Sequence, residues 1–122
     1  MKKIYSAIAS VVILLAATLA LTSCAPAKVD MAAVTSVIDV RSVAEFNAGH
    51  LEGAINIDVE SLTFADQIET LDHAGTYLVY CHSGRRAGLA LDQMKQLGFA
   101  NVTNFGGLSD AASATGLQII TG

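Results

Sequence analysis

The stretch from Thr76 to Gly98 constrains what this chain can fold into more than any other. Thr76-Tyr-Leu-Val-Tyr80 is rich in β-branched and aromatic residues and predicts a buried strand. Cys81 follows at once, then a short turn, His82-Ser-Gly-Arg-Arg86. Apolar residues then fall at Ala87, Ala90, Leu91, Met94 and Leu97, a spacing that lines one face of a helix. A strand that runs through a tight turn into a helix sets its cysteine beside a helix N-terminus. The free N–H groups there favour anions and lower a thiol's pKa. Arg85 and Arg86 add positive charge beside it. The stretch suits sulfur chemistry or anion chemistry.

The remaining pattern alternates strand and helix. Val37-Ile-Asp-Val40 predicts a short strand that delivers Asp39 and Arg41 to its end. Ser42-Val-Ala-Glu45 is a capping box, and Gly49 is placed to close the short helix as a left-handed cap. His50 to Gly53 reads as a loop, and Ala54 to Val59 as a half-buried strand with Ile55, Ile57 and Val59 inward. Ser61 can cap a second helix carrying Phe64, Ala65, Ile68 and Leu71 on one face, and His73-Ala-Gly75 is a turn. After Gly98 come a strand over Phe99–Phe105, a Gly106-Gly107 turn and a helix over Leu108–Ala114; the apolar tail Leu117–Thr121 is too brief to assign. The order predicts an α/β fold, a small three-layer α/β/α domain over residues 36–122 with a central, mainly parallel sheet. Ligand sites in such sheets lie beyond the strands' carboxyl ends, where Cys81, Asp39 and Arg41 all fall.

The first 23 residues are not expected to join that fold. Met1-Lys-Lys3 is basic, Ile4 to Thr22 is uncharged, and Leu21-Thr-Ser-Cys24 resembles the lipobox of bacterial lipoproteins. An uncleaved membrane anchor is the alternative, but it has no use for a cysteine at that point. Residues 1–23 are then a lipoprotein signal peptide, Cys24 the lipidated N-terminus and membrane attachment, and residues 24–35 a tether. Ala25 rather than Asp follows the cysteine, which in enteric-type bacteria implies the outer membrane. The expected location is an exported, membrane-anchored protein facing the periplasm or the cell surface.

Beyond the signal the chain carries five lysines and arginines against eleven acidic residues, which argues against nucleic acid as a partner. Two of those cations flank Cys81, so the local field opposes the global one and suits a small anion. With Cys24 given to lipid, Cys81 has no intramolecular disulfide partner in an oxidising compartment. Three scattered histidines do not have zinc-ligand spacing.

Three stretches together resemble the rhodanese family: Ile38-Asp-Val-Arg41; Glu45-Phe-Asn-Ala-Gly-His-Leu-Glu-Gly-Ala-Ile-Asn-Ile57; and Tyr80-Cys-His-Ser-Gly-Arg-Arg-Ala87. The family loop, Cys-x-x-Gly-x-Arg followed by Ser or Ala, is met by Cys81, Gly84, Arg86 and Ala87. Asn104-Phe-Gly-Gly-Leu-Ser-Asp110 is similar to the end of the small periplasmic phage-shock-protein-E type, although the chain lacks the tryptophan most rhodaneses carry nearby. The family's usual first strand and helix look shortened or absent. The resemblance implies a sulfurtransferase in which Cys81 takes the outer sulfur of an anionic donor such as thiosulfate as a persulfide. It then passes that sulfur to cyanide or a thiol. The N–H groups from His82 through Ser83, Gly84, Arg85 and Arg86 to Ala87 would cradle the sulfur. Asp39 and Arg41 would brace the loop, and no metal or organic cofactor is called for.

Two other functions compete. A Cys-dependent phosphatase or arsenate reductase needs Cys-x5-Arg to encircle a tetrahedral oxyanion, whereas Arg86 is the fifth residue after Cys81 and Ala87 the sixth. An envelope-tethered persulfide carrier, or a thiol-sensing module with little turnover, needs the same reactive Cys81. A direct Cys81–His82 dyad is disfavoured, because adjacent residues in a tight loop seldom face each other.

The attachment reading is testable with radiolabelled fatty acid. Wild-type protein should take up label and partition with membranes, and Cys24→Ala should do neither; labelling that persists in Cys24→Ala rejects the lipobox.

Overall fold

The computed structural model describes residues 28–122; the signal segment, Cys24 and the first residues of the tether lie outside the described residues. A single 3-10 turn, Met31–Ala33, leads into β1, Ser36–Asp39. Helix α1, Val43–Ala48, is followed by the two-residue strands β2, His50–Leu51, and β3, Ile55–Asn56. Helix α2, Phe64–Glu69, precedes β4, Thr76–Cys81, and α3, Arg85–Gln96. The chain closes with β5, Asn101–Gly107, α4, Leu108–Thr115, and β6, Ile119–Ile120.

Four strands form a parallel sheet in the order β3-β1-β4-β5, and β2 pairs antiparallel with β6 in a separate ribbon. Side chains alternate across the two central strands, because successive residues of a strand point to opposite faces. Ile38, Tyr77, Val79 and Cys81 pack with Phe64 and Ile68 of α2 and with Ala87, Ala90 and Met94 of α3. Val37, Leu78 and Tyr80 face the other way, against Leu51 and Ala111, with Val29, Met31 and Leu117 closing over them. The result is the expected three-layer α/β/α arrangement around a mainly parallel sheet. Among the described residues, the only helical or strand element ahead of β1 is the 3-10 turn. Ahead of β1 the chain is fixed by Val29 N–H to the Ala114 carbonyl at 3.0 Å and by Thr35 N–H to the Thr76 carbonyl at 2.8 Å.

Several local expectations need correction. Gly49 is not a left-handed cap: its φ of 167° is extended backbone, and its N–H still bonds back to Glu45 and Phe46. His50 and Leu51 are a strand rather than a loop, paired with the tail left unassigned above. Ile55 is exposed on the edge strand, while Ile57 and Val59 are buried just beyond it. Ala65 is exposed, so α2 presents only Phe64 and Ile68 to the core, and Thr63 rather than Ser61 precedes it. His73 does more than turn the chain, packing its ring at a tilt against Phe99 with centroids 4.3 Å apart.

Gly106-Gly107 belongs to β5 rather than to a turn. Val79 pairs with Asn104 and Cys81 with Gly107, so β5 spends one residue more than β4 over the same interval. That extra residue is a bulge beside the cysteine, and Gly106, at φ 78°, adopts the left-handed backbone it requires.

The small ribbon is joined to the sheet through Tyr80, whose buried hydroxyl accepts the Leu51 N–H at 3.0 Å. Tyr80→Phe should leave that N–H without a partner and cost about 1–2 kcal/mol. Chemical denaturation measures it; an unchanged midpoint would show that the ribbon does not depend on this bond.

Candidate active site

Cys81 is the last residue of β4 and is fully buried among Val79, Ala87 and Ala90. Gly84, at φ 94°, turns the chain sharply into α3 and supplies no side chain to cap it. An ordinary cap residue would consume one of the first free helix N–H groups. Here they are left to the sulfur: Gly84 N–H donates to Sγ at 2.9 Å. Burial pushes the Cys81 thiol up, but the backbone N–H groups of Ala87, Ser83, Gly84 and Arg86 outweigh it, and the net shift is downward. The loop thus stabilises the thiolate form of a sulfur that is closed off from water.

The residues around the sulfur divide by what they touch. His82, Ser83 and Arg85 are exposed, and no hydrogen bond joins the His82 ring to Sγ among the described residues. Arg86 lies along the loop and gives both guanidinium arms to Glu45 of α1, Nη1 to Oε2 at 2.8 Å and Nη2 to Oε1 at 2.9 Å. The same Glu45 completes the α1 capping box with Ser42, so one carboxylate ties two helix starts together. With Arg86 engaged in that ion pair, Arg85 is the neighbouring cation with no carboxylate partner among the described residues.

Asp39 and Arg41 form a buried pair at the end of β1. Asp39 accepts from Arg41 Nε at 3.0 Å, from Nη2 at 2.7 Å and from the Arg41 backbone N–H at 2.9 Å. Arg41 Nη2 also donates to the Gly49 carbonyl, and its guanidinium lies over the Tyr80 ring, 5.7 Å from its centroid. The pair therefore braces the end of β1 against Tyr80, the residue before Cys81, and does not itself touch the sulfur. His50 is likewise scaffolding: buried, stacked on Phe46, with Nδ1 2.8 Å from the Phe46 carbonyl oxygen.

Three residues of this neighbourhood had no assigned site role in the sequence. Glu45 was legible as a cap but not as the partner of Arg86. Asn56, an alternating polar residue, donates from Nδ2 to the Asp39 carbonyl at 3.0 Å and the Arg41 carbonyl at 2.9 Å. Asn104 donates to the Gly84 carbonyl at 2.9 Å and accepts from Gly106 N–H at 2.8 Å. Gly107 closes the loop from the far side: a Cβ there would run into the His82 carbonyl oxygen.

A family model described as Rhodanese-like domain matches residues 24–114. The thiosulfate sulfurtransferase PspE of Escherichia coli is 36% identical over 75 residues, covering 62% of this chain and 72% of that protein. The thiosulfate sulfurtransferase GlpE of Pseudomonas entomophila is 34% identical over 71 residues, covering 58% of this chain and 63% of the relative. Among solved structures, a rhodanese with anions from E. coli superposes with a TM-score of 0.60 at 32% identity. That match covers 71% of this chain and 98% of the other.

The Glu45–Arg86 pair carries a pH signature. Hydrogen bonding from Arg86, reinforced by Ser42 against a smaller desolvation effect, holds the Glu45 carboxyl at about 2, below its ordinary 4.5. Its contribution to stability is complete above the ordinary value and is lost as pH falls through that interval to about 2. Because the carboxylate is partly exposed, the expected loss is about 1 kcal/mol. Denaturation midpoints should fall more steeply for wild type than for Glu45→Gln as pH is lowered across that interval; parallel profiles would refute the coupling.

Proposed function

The chain belongs to the rhodanese-like family, and on that basis we propose that it is a thiosulfate-type sulfurtransferase working through Cys81. The observation that carries the reading is the Gly84 N–H directed at a buried Sγ, at the start of a helix with no side-chain cap. Similarity to two thiosulfate sulfurtransferases supports the donor class.

The Cys81 thiolate attacks the outer sulfur of thiosulfate. The donor's S–S bond breaks and sulfite leaves with the electron pair. The new Sγ–S bond is a persulfide whose terminal sulfur carries the negative charge, and the N–H groups from His82 to Ala87 are the donors available to hold it. Cyanide or a thiolate then attacks that terminal sulfur, and Cys81 departs as the thiolate that began the cycle. No outside oxidant or reductant enters. Arg85 meets the incoming dianion, while Arg86, held by Glu45, keeps the loop in shape. Asp39 and Arg41 support the strand end from which Cys81 projects. An export signal with lipid on Cys24 would present this chemistry at the cell envelope, where a thiol is the more natural acceptor.

Thiocyanate formation from thiosulfate and cyanide should be abolished in Cys81→Ser, and wild-type protein treated with thiosulfate alone should gain the mass of one sulfur at Cys81. Turnover surviving the substitution would sink the assignment. A stable one-sulfur adduct with negligible turnover would identify a persulfide carrier instead.

A further inference from the structure

Asn104 takes no part in the steps above, yet its side chain reaches into the cysteine loop from another strand. It lies in β5 two residues after buried Val102 and is partly buried, next to the β5 bulge. Its Nδ2 donates to the Gly84 carbonyl at 2.9 Å, and its Oδ1 accepts from Gly106 N–H at 2.8 Å. The Gly84 carbonyl also accepts the first bond of α3, from Gly88 N–H at 2.9 Å. Gly84 is therefore held at both ends of its backbone: the carbonyl by Gly88 and Asn104, the N–H on Sγ at 2.9 Å.

The chemistry of the two partners selects this side chain. A carbonyl needs a donor and an N–H needs an acceptor, and a primary amide offers both from one planar group. A carboxylate of the same size would keep the bond from Gly106 and set an oxygen against the Gly84 carbonyl. The space is also confined, since a Cβ on Gly84 would lie 3.2 Å from Gly106 Cα and one on Gly88 3.7 Å from Asn104 Nδ2. A residue with φ 94° has few other restraints, and Asn104 supplies one that comes from outside the loop.

We propose that Asn104 is a positioning residue for Cys81: by clamping the Gly84 carbonyl to the β5 bulge it keeps the Gly84 N–H aimed at Sγ, for the thiolate and for the sulfur it later carries. Its purpose rests on the sulfur-transfer reading above, but its geometry does not. The titratable and charged groups around this loop are His82 within it, Arg85 and Arg86 on α3, Glu45 on α1, Glu60 ahead of α2 and Asp110 in the first turn of α4. Asn104→Ala changes none of them, so a shift in thiol titration reports the lost N–H geometry.

The test is the ultraviolet absorbance of the Cys81 thiolate followed against pH. Asn104→Ala should move the midpoint upward, leaving about tenfold less thiolate at a fixed pH below it, the equivalent of one pKa unit. Asn104→Leu, which keeps the native side chain's bulk with no donor, acceptor or charge and provides a second folded variant, should move it as far. Thr103→Ala, at the exposed neighbour, should leave it unchanged. A folded Asn104→Ala or Asn104→Leu that titrates with wild type overturns the proposal. Mass measurement after thiosulfate treatment of wild type runs in parallel: absence of the sulfur adduct rejects the sulfur-transfer reading, while the titration still decides the role of Asn104.

Discussion

A sulfur withdrawn from water ionises more easily only where the protein supplies polar groups to it, and in this molecule the backbone supplies them. Cys81 is withdrawn from water at the end of a central strand, which by itself disfavours the charged form. The turn that follows reverses the balance by leaving the first N–H groups of α3 without a side-chain cap. Gly84 is central to that turn because its left-handed backbone and missing Cβ allow the chain to fold back over the sulfur next to Gly106. The bulge in β5 and the bare Cα of Gly107 make room on the other side. Much of the surrounding architecture serves to keep a few N–H vectors converging on one atom.

The ionic groups near the site serve that end more than they serve the chemistry. Asp39–Arg41 is buried and hydrogen-bonded on several sides, the arrangement a buried pair needs if desolvation is not to dominate. Arg86–Glu45 is two-armed and more exposed, and it links the start of α3 to the start of α1. Asn56 and Asn104 do with neutral amides what these pairs do with charge, each joining backbone groups from separate segments. In the proposed reaction, the helix amides and Arg85 are the groups these pairs leave to meet an anionic donor.

What the sequence made legible was local. The strand–Cys–turn–helix unit could be read from adjacent residues, as could the Ser42–Glu45 capping box and the apolar strand that carries Asp39, and from them the layered fold and the rim that carries Cys81. What escaped it depends on distance along the chain. Glu45 shows its cap but not its partner 41 residues on. The β2–β6 ribbon joins two-residue segments from opposite ends of the domain, each too short to carry a pattern. Gly106-Gly107 looks like a turn because glycine pairs usually are, and only the register with Cys81 shows it to be a bulged strand. Asn104 carried no role because an amide between two backbone groups has no sequence period.

The way the chain enters the domain gives the molecule a polarity. Thr35 bonds to Thr76, so the chain arrives at the amino end of β4, while Cys81 closes the same strand roughly 17 Å away at its carboxyl end. The membrane attachment proposed above would therefore meet the domain at the pole opposite the sulfur loop and leave that loop toward the aqueous side. Such an orientation favours acceptors that diffuse or dock from solution over thiols embedded in the membrane.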